Sequence, residues 1–331
     1  MILIDGSYGE GGGQVLRSSL SLSVVQKAGF KIYNIRKNRK KPGLSYQHLA
    51  CVKAAKTLSK AEVEGDYLRS TTLKFVPKEL PVYGTYRFEI PTAGSACLLF
   101  QTVLYPLAMS EGGRLILRGG THVPKSPSFH YLKEVFLPKC LSLGFNFELK
   151  LIKPGVLPKG GGEFEAEVLK WKKPESLPNL GRFNLKGFKL VGTEKEVFKL
   201  RKELEREFKV PIETEEIQLE TSFVLVIAKG EELWQRAGFP FLLEKKHSKK
   251  DFKFLINKIK EFFEEKADCD VFAGDQVLLP LSLIIKNLNT SATYRVPKIT
   301  EHLVTHAWVI QKFLPVKIEI KDKEVKVEGG A

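Results

Sequence analysis

Apolar and polar residues follow one another along this chain in a pattern that repeats. Short apolar runs typical of strands precede longer stretches with apolar residues three and four positions apart, which predict helices. From residue 1 to residue 76 the predicted order is strand, helix, strand, helix, strand, strand, and the same βαβαββ order returns between residues 86 and 168. A pattern that recurs at this length predicts a fold built from structural repeats.

A third copy of the pattern is interrupted. Its first strand is predicted at 183–191, but the remaining helices and strands follow only at 275–327, where the last two strands alternate between apolar and charged residues. We therefore predict an α/β (α+β) fold with three βαβαββ repeats around a common core and a small α/β domain inserted in the third repeat. The predicted boundaries are 1–180 and 269–331 for the three-repeat domain and 181–268 for the insert.

A glycine-rich loop follows the first predicted strand. Residues 5–14 read DGSYGEGGGQ, and the first predicted helix begins at Gln14. Glycines adopt positive φ without a Cβ clash, so their N–H groups can line a concave site for phosphate or RNA backbone at the start of a helix. The loop lacks both the Walker pattern and the spacing of a dinucleotide fingerprint. A flexible linker is disfavoured because apolar residues tether both of its ends.

Three polar residues are spaced to lie on one side of this helix start: Glu10, Gln14 and Arg17. A carboxylate, an amide and a guanidinium at this place suit a nucleoside triphosphate with its metal. Arg17 would contact phosphate oxygens and Glu10 would face a divalent cation. An ion pair between arginine and glutamate at the helix end, without any ligand, explains the same spacing equally well.

A dense basic segment leaves the second predicted strand. Residues 36–41 read RKNRKK, with five cations in six positions, and Gln47 and His48 open the next helix. Such charges cannot be buried, so they meet either solvent or phosphates. A solvated turn is the alternative interpretation.

A histidine stands in the first turn of the last predicted helix. Thr300 is a plausible N-cap, so His302 lies at the positive end of the helix dipole, which disfavours imidazolium and would stabilise an incoming phosphate. The ring would then be neutral and nucleophilic near neutral pH. Alternatively, His302 and His306 face solvent or bind a metal, although the Glu of HExxH is missing and no third ligand is evident. Asp275 and Gln276 precede another helix, where they could cap it or face the same cleft.

Composition narrows the class of partner. The 331 residues include 53 Lys and Arg against 38 Asp and Glu, a net charge of +15, which favours a polyanionic partner although solvated lysine faces are common. The four cysteines form no CxxC pair, so they predict neither a zinc site nor a disulfide framework. The chain shows no targeting segment and no membrane-length apolar run, and we expect a cytoplasmic protein without a membrane partner.

Six separated segments resemble motifs of the RNA 3′-terminal phosphate cyclase family, and together they cover nearly the full chain. They are DGSYGEGGGQVLR at 5–17, RKNRKKPGLSYQH at 36–48, AGSACLLFQT at 93–102, GVLPKGGGE at 155–163, GDQVLLPL at 274–281 and HLVT at 302–305. The resemblance implies the fold predicted above, with the three-repeat domain as the catalytic domain. It also implies an enzyme that uses ATP and a divalent metal, Mg²⁺ or Mn²⁺, to convert an RNA 3′-phosphate to a 2′,3′-cyclic phosphate.

The resemblance further implies a mechanism and residue roles. His302 would be the nucleophile that attacks the α-phosphorus of ATP and holds AMP, before an RNA-pp-A intermediate forms and cyclises. Glu10 would bind metal or nucleotide, and Arg17 and Arg39 would hold phosphates. The other implied nucleotide-binding residues are Gln14, Gln47, Gln101, Pro127, Tyr131, Phe272, Asp275 and Gln276. Pro154, Gly274 and His306 depart from the residues usual in the family.

Two other functions stay open at this point. One is a non-catalytic, cyclase-like RNA-binding protein in ribosome biogenesis, and the other is an enolpyruvyl transferase on a related fold. A histidine kept beside Glu10, Arg17 and Arg39 favours the enzyme, because a scaffold has no need of a nucleophile near phosphate-binding groups. The expected partners are ATP and RNA with a 3′-phosphate end, and the oligomeric state stays open, with a homodimer as one alternative.

Overall fold

The computed structural model describes residues 1–181, 183–243 and 249–330. The first repeat forms a four-stranded sheet of order β1-β2-β4-β3, in which β1 and β2 are parallel and the other neighbours antiparallel. Its elements are β1 (Ile2–Asp5), α1 (Gly13–Gln26), β2 (Phe30–Tyr33), α2 (Tyr46–Ser59), β3 (Glu62–Glu64) and β4 (Leu73–Val76).

The second repeat has the same strand pairing. Its sheet order is β5-β6-β8-β7, again with one parallel pair followed by antiparallel pairs. Its elements are β5 (Thr85–Glu89), α3 (Ala96–Ala108), β6 (Gly113–Gly119), α4 (Phe129–Tyr131), a π-helical turn (Leu132–Phe136), α5 (Leu137–Ser142), β7 (Phe147–Lys153) and β8 (Gly162–Val168). The repeated βαβαββ order predicted from the pattern is therefore present in both units.

The next part of the chain forms a separate sheet of order β10-β9-β11-β12. Its elements are β9 (Gly187–Gly192), α6 (Glu194–Phe208), β10 (Ile212–Glu216), β11 (Ser222–Lys229), β12 (Arg236–Leu243) and α7 (Lys249–Glu264). Its helices and strands bury an apolar cluster of their own, which runs from Phe183 to Ala267. This separate cluster supports the predicted insert at 181–268, whose boundaries stay a prediction.

The strand predicted at 183–191 as the start of the third repeat corresponds to β9. That assignment was wrong, because β9 pairs with β10 and β11 inside the insert. The described part of the third repeat has a three-stranded antiparallel sheet, β13-β15-β14. Its elements are α8 (Ala273–Gln276), α9 (Leu278–Leu288), β13 (Ser291–Arg295), α10 (Glu301–Phe313), β14 (Val316–Lys321) and β15 (Glu324–Gly329).

The centre of the main core is α1, which packs against α2, α3 and α10. Two of its buried serines, Ser19 and Ser23, donate their hydroxyls to backbone carbonyls. Small side chains of this kind let neighbouring helices approach α1 on several sides. As a result the first turns of α1 and α10, from different repeats, lie side by side. Among the described residues no helix combines the length and the apolar character that crossing a bilayer requires.

Candidate active site

The glycine-rich loop between β1 and α1 lies along the first half of α10. The backbone N–H of Glu10 donates to Thr305 Oγ1 at 3.1 Å. Gly9 has a φ of 57°, and a Cβ added to it would collide with the same oxygen. The loop therefore needs glycine at this position both for its left-handed backbone and for its close contact with α10.

His302 lies in the first turn of α10, as predicted, because Thr300 caps the helix by accepting from the Leu303 N–H. Its side chain is 54% exposed, and its Nδ1 lies 3.1 Å from Oε1 of Gln14. An amide oxygen can only accept a hydrogen bond, so Nδ1 of the neutral ring carries the proton. Nε2 keeps its lone pair and is the nucleophilic nitrogen of this imidazole.

Asp275 sets the orientation of Gln14. Gln14 Nε2 donates to Asp275 Oδ2 at 2.9 Å, which leaves Oε1 facing His302. Burial raises the pKa of Asp275 to about 6, although His302 and the Gln14 hydrogen bond act in the opposite direction. At pH 7 the carboxylate is mainly ionised and accepts from Gln14. A hydrogen-bonded chain therefore runs from Asp275 through Gln14 to His302 and selects one tautomer of the imidazole.

Glu10 lies on the other side of His302. Its carboxylate forms an ion pair with the exposed Arg39, and its Oε2 is 3.1 Å from His302 Nδ1. That oxygen is buried and makes no hydrogen bond to any described residue, since the ring N–H is directed at Gln14. The sequence left open an ion pair between Glu10 and Arg17. The observed partner of Glu10 is Arg39.

The free oxygen of Glu10 fits a divalent cation. Carboxylate oxygens are preferred ligands of Mg²⁺ and Mn²⁺. Within residues 1–181, 183–243 and 249–330, no group of three or more His, Cys, Asp or Glu side chains could hold a metal by itself. A cation on Glu10 would therefore need phosphate oxygens and water as its other ligands, which is the usual arrangement for Mg²⁺ with nucleotides.

Arg17 follows Gln14 by one turn of α1 and lies beside His48. A Cβ added to Gly13 would be 2.7 Å from Nη1 of Arg17 and would collide with Nε2 of His48. Burial lowers the pKa of Arg17, yet a guanidinium stays charged at neutral pH. It has neither a hydrogen bond nor an ion pair among the described residues. A half-buried charge without a partner is costly, so Arg17 is suited to an anionic ligand.

Four more of the predicted nucleotide-binding residues lie in pairs. Gln101 Nε2 donates to Gln276 Oε1 at 2.8 Å, directly beside Asp275. Phe272 is 49% exposed, and the edge of its ring meets the buried ring of Tyr131 with centroids 6.3 Å apart. Phe272 thus offers an exposed aromatic surface close to α8, while the buried Tyr131 packs against it from the protein interior.

Gln47 and Pro127 have no hydrogen bond to this network among the described residues. Gln47 Oε1 accepts from the Ser95 N–H at 2.7 Å and so ties the first repeat to the start of α3. Pro127 is half-buried in the loop after β6, next to Ser128, which caps α4. Their predicted contact with a nucleotide stays a prediction.

Asp270, which the sequence pattern did not mark as a site residue, holds the segment before α8. Its Oδ1 accepts from Tyr131 Oη at 2.8 Å and from the N–H groups of Phe272 and Ala273, each at 2.9 Å. Its Oδ2 accepts from the Gly238 N–H of β12 at 2.8 Å. The carboxylate therefore joins the insert to the segment that carries the site. Its position shortly before the GDQ motif was the one signal that could have pointed to it.

Comparison with known proteins agrees with these observations. The family model described as RNA 3′-terminal phosphate cyclase matches residues 8–320. The RNA 3′-terminal phosphate cyclase of Gloeothece citriformis is 35% identical, over 100% of this chain and 99% of its own. That of Sulfolobus acidocaldarius is 36% identical over 97% of each chain, and one from Saccharolobus islandicus is 37% identical over 98% of this chain and 97% of its own.

Matches over nearly the full chain identify it as a ligase-type enzyme of mixed α/β fold. It belongs to the RNA 3′-terminal phosphate cyclase family, as its six motifs predict. The predicted family, fold class and enzyme class are thereby confirmed.

Proposed function

We propose that this protein converts the 3′-terminal phosphate of RNA to a 2′,3′-cyclic phosphate with ATP, through a covalent adenylate on His302. The observation that carries the proposal is the hydrogen bond between His302 Nδ1 and Gln14 Oε1 at 3.1 Å. This bond leaves Nε2 as an unprotonated nitrogen on a half-exposed ring, at the positive end of a helix.

The proposed reaction has three displacements. Nε2 of His302 attacks the α-phosphorus of ATP, a P–N bond forms, and pyrophosphate leaves with the electron pair of the broken P–O bond. An oxygen of the RNA 3′-phosphate then attacks the same phosphorus, the P–N bond breaks, and RNA-pp-A forms. Finally the ribose 2′-oxygen attacks the RNA 3′-phosphorus after losing its proton, and AMP leaves. The last step is intramolecular, which supplies its orientation in advance.

Charged groups around His302 support this chemistry. Arg17 has no ion-pair partner among the described residues and would bind phosphate oxygens of ATP, with Arg39 at the exposed side of Glu10. A divalent cation, Mg²⁺ or Mn²⁺, when bound at Glu10, would offset phosphate charge. The open ring of Phe272 would stack on adenine, next to Asp275 and Gln276.

The basic segment 36–41 would bind RNA. Asn38 Nδ2 donates to the Ser7 carbonyl at 3.4 Å, which ties this segment to the glycine-rich loop. Lys37, Lys40 and Lys41 are exposed around it. A phosphodiester backbone reaching the site from this side would meet several cations. A cytoplasmic location and a homodimer stay predictions.

Formation of the adenylate tests the proposal. The protein is incubated with ATP labelled at the α-phosphate and with Mg²⁺ or Mn²⁺, and bound label is measured after denaturation. We expect an adduct that is labile in acid and stable in base, as a phosphoramidate is. His302→Ala should lose it, while His130→Gln, which changes a buried histidine of the second repeat, should keep it.

Two results would contradict the proposal. Label that survives His302→Ala would exclude this nucleophile. A folded protein that binds RNA but never accumulates an adduct would favour the non-catalytic, cyclase-like RNA-binding protein instead.

A further inference from the structure

Tyr8 and Trp308 form a stacked pair at the edge of the candidate site. Their ring centroids are 4.2 Å apart and their planes differ by 13°. Tyr8 belongs to the glycine-rich loop, and Trp308 lies on α10, six residues after His302. The two rings connect the segment that carries Glu10 to the helix that carries the histidine.

The stack is the last of three successive contacts between the loop and α10. Glu10 meets His302, Gly9 meets Thr305 and Tyr8 meets Trp308. The helix positions are three residues apart, so they follow one another along one side of α10. The loop thus runs antiparallel to α10, and successive loop residues contact successive turns of the helix. A shift of Tyr8 would be passed directly to Glu10.

Tyr8 is also the one large apolar side chain between residues 6 and 13, which read GSYGEGGG. Gly9 and Gly11 both have a φ of 57°, and a loop of this composition has many other conformations available when nothing packs against it. Aromatic stacking opposes this freedom, together with the hydrogen bonds that the loop makes to Thr305 and Asn38. Among the described contacts of the loop, no other side chain of residues 6–13 packs on an aromatic ring.

We propose that the Tyr8–Trp308 stack is a clamp that positions Glu10 beside Nδ1 of His302 for the transfer of AMP. Tyr8 and Trp308 are positioning residues, because they act through Glu10 and not on the reacting atoms. The inference rests on the proposed function of His302 and Glu10, and adds two residues to which the motifs assigned no role.

The same rings suggest one competing role, a platform for an RNA base. Tyr8 is 40% exposed, and Lys312 Nζ lies 5.4 Å from the Trp308 ring centroid. Bases stack on exposed aromatic rings in many single-strand binding proteins. The clamp is favoured here because the residues that follow Tyr8 are themselves in contact with α10. The two roles differ in whether RNA is needed to observe a defect.

The test is the rate of adenylate formation with ATP alone. Tyr8→Ala removes the stack, Tyr8→Phe keeps it, and Tyr33→Ala is the control at a tyrosine that is also 40% exposed. We expect Tyr8→Ala to lower the single-turnover rate constant of adenylate formation about tenfold or more, with little change in the ATP concentration that gives half of the maximal rate, because misplaced groups mainly slow the chemical step. Tyr8→Phe should restore the rate and Tyr33→Ala should leave it unchanged. Trp308→Phe should also stay close to the original protein.

A double-mutant cycle separates positioning from general loosening of the fold. Tyr8→Ala is combined with Glu10→Gln, and the rates are compared. If the clamp acts through Glu10, Tyr8→Ala should change the rate of the Glu10→Gln protein by no more than about twofold. An equal loss in both backgrounds would overturn the clamp. So would normal adenylate formation by Tyr8→Ala with a defect confined to transfer onto RNA, which is the result expected of a base platform.

Hydrogen exchange of the loop amides provides a readout that needs no activity. We expect faster exchange at the Glu10 N–H in Tyr8→Ala and unchanged exchange in Tyr8→Phe, because the bond to Thr305 opens more often when the stack is lost. Unchanged exchange in Tyr8→Ala would refute the clamp whatever the reaction is. A protein that shows the exchange effect but forms no adenylate would refute only the proposed function.

Discussion

His306 Nδ1 lies 2.8 Å from the backbone carbonyl of Asp275, so the imidazole donates its one proton to that oxygen. Its Nε2 is buried and has no hydrogen-bond partner among the described residues. Burial lowers the pKa of His306 to about 4, and the nearby Arg17 and His302 add to this. His306 is therefore neutral at pH 7. It acts on the site by holding the segment that carries Asp275.

We expect His306→Asn to form the adenylate normally and to be at least as stable as the original protein. Asparagine can place an N–H donor near the Asp275 carbonyl, while the unpartnered Nε2 is removed. His306→Ala loses the donor, and its rate of adenylate formation should fall about tenfold. Single-turnover labelling and thermal unfolding measure both effects. Equal rates for the two variants would show that the bond to Asp275 does not matter for the reaction.

Asp275→Asn should raise the stability of the protein above about pH 6. The pKa of Asp275 is raised by burial from 3.8 to about 6, so its favourable contribution is present below pH 3.8 and is lost as pH rises through about 6. A shift of this size corresponds to about 2 kcal/mol at most once partial exposure is allowed for. Denaturant unfolding at several pH values should show a higher free energy of unfolding for Asp275→Asn, and this difference should disappear near pH 4.

The same variant should lose activity. An asparagine amide at this position could donate as well as accept, so it would no longer force Gln14 to present Oε1 to His302. Adenylate formation should fall while stability rises, a combination that simple damage to the fold does not produce. A stable Asp275→Asn protein with full activity would contradict the role of this hydrogen-bonded chain.

Arg17→Met should weaken ATP binding without unfolding the protein. Methionine keeps an unbranched stem but has no charge, so it removes a half-buried guanidinium that has no described protein partner. We expect the KM for ATP to rise about tenfold or more, as the loss of a charge-assisted bond to phosphate predicts. The midpoint of thermal unfolding should stay the same or rise. The matched control is Arg114→Met, at an exposed arginine paired with Glu167 on the second sheet.

Two buried histidines, His122 and His130, should make the folded protein less stable in acid. His122 Nε2 and His130 Nδ1 are 2.8 Å apart, and Glu215 of β10 lies 3.9 Å from His130. Burial lowers the pKa of His122 to about 3 and that of His130 to about 4. Below pH 6.5 a histidine in the unfolded chain takes up a proton, while both of these rings stay neutral in the folded protein until the pH approaches about 4. Stability should be full above pH 6.5 and fall as the pH is lowered towards about 4.

His130→Gln removes one of these two titrating groups. Between about pH 6 and pH 4.5 the slope of unfolding free energy against pH should therefore decrease by up to about 1.4 kcal/mol per pH unit. Asp268 and Asp275, whose pKa values burial raises to about 6, act in the opposite direction in the same range. Both aspartates are present in the original protein and in His130→Gln, so their contributions to the slope cancel when the two proteins are compared. An unchanged slope would show that His130 is protonated in the folded protein.

Local sequence determined the elements that carry the site. The glycine-rich loop, the Thr300 cap and the periodicity of α1 and α10 depend on neighbouring residues, so the positions of Gln14 and His302 in their helices could be predicted. The repeat pattern and the six motifs likewise identified the fold class and the family. These features need no knowledge of which distant segments meet.

Tertiary structure decided which groups are partners. Sequence spacing offered Arg17 as the partner of Glu10, but the fold brings Arg39 there and leaves Arg17 available for an anion. The strand at 183–191 could not be assigned to its sheet, because strand pairing depends on segments far away in the chain. The raised pKa of Asp275 and the stack of Tyr8 on Trp308 arise in the same way, since burial and ring contact exist only after three repeats have packed around α1.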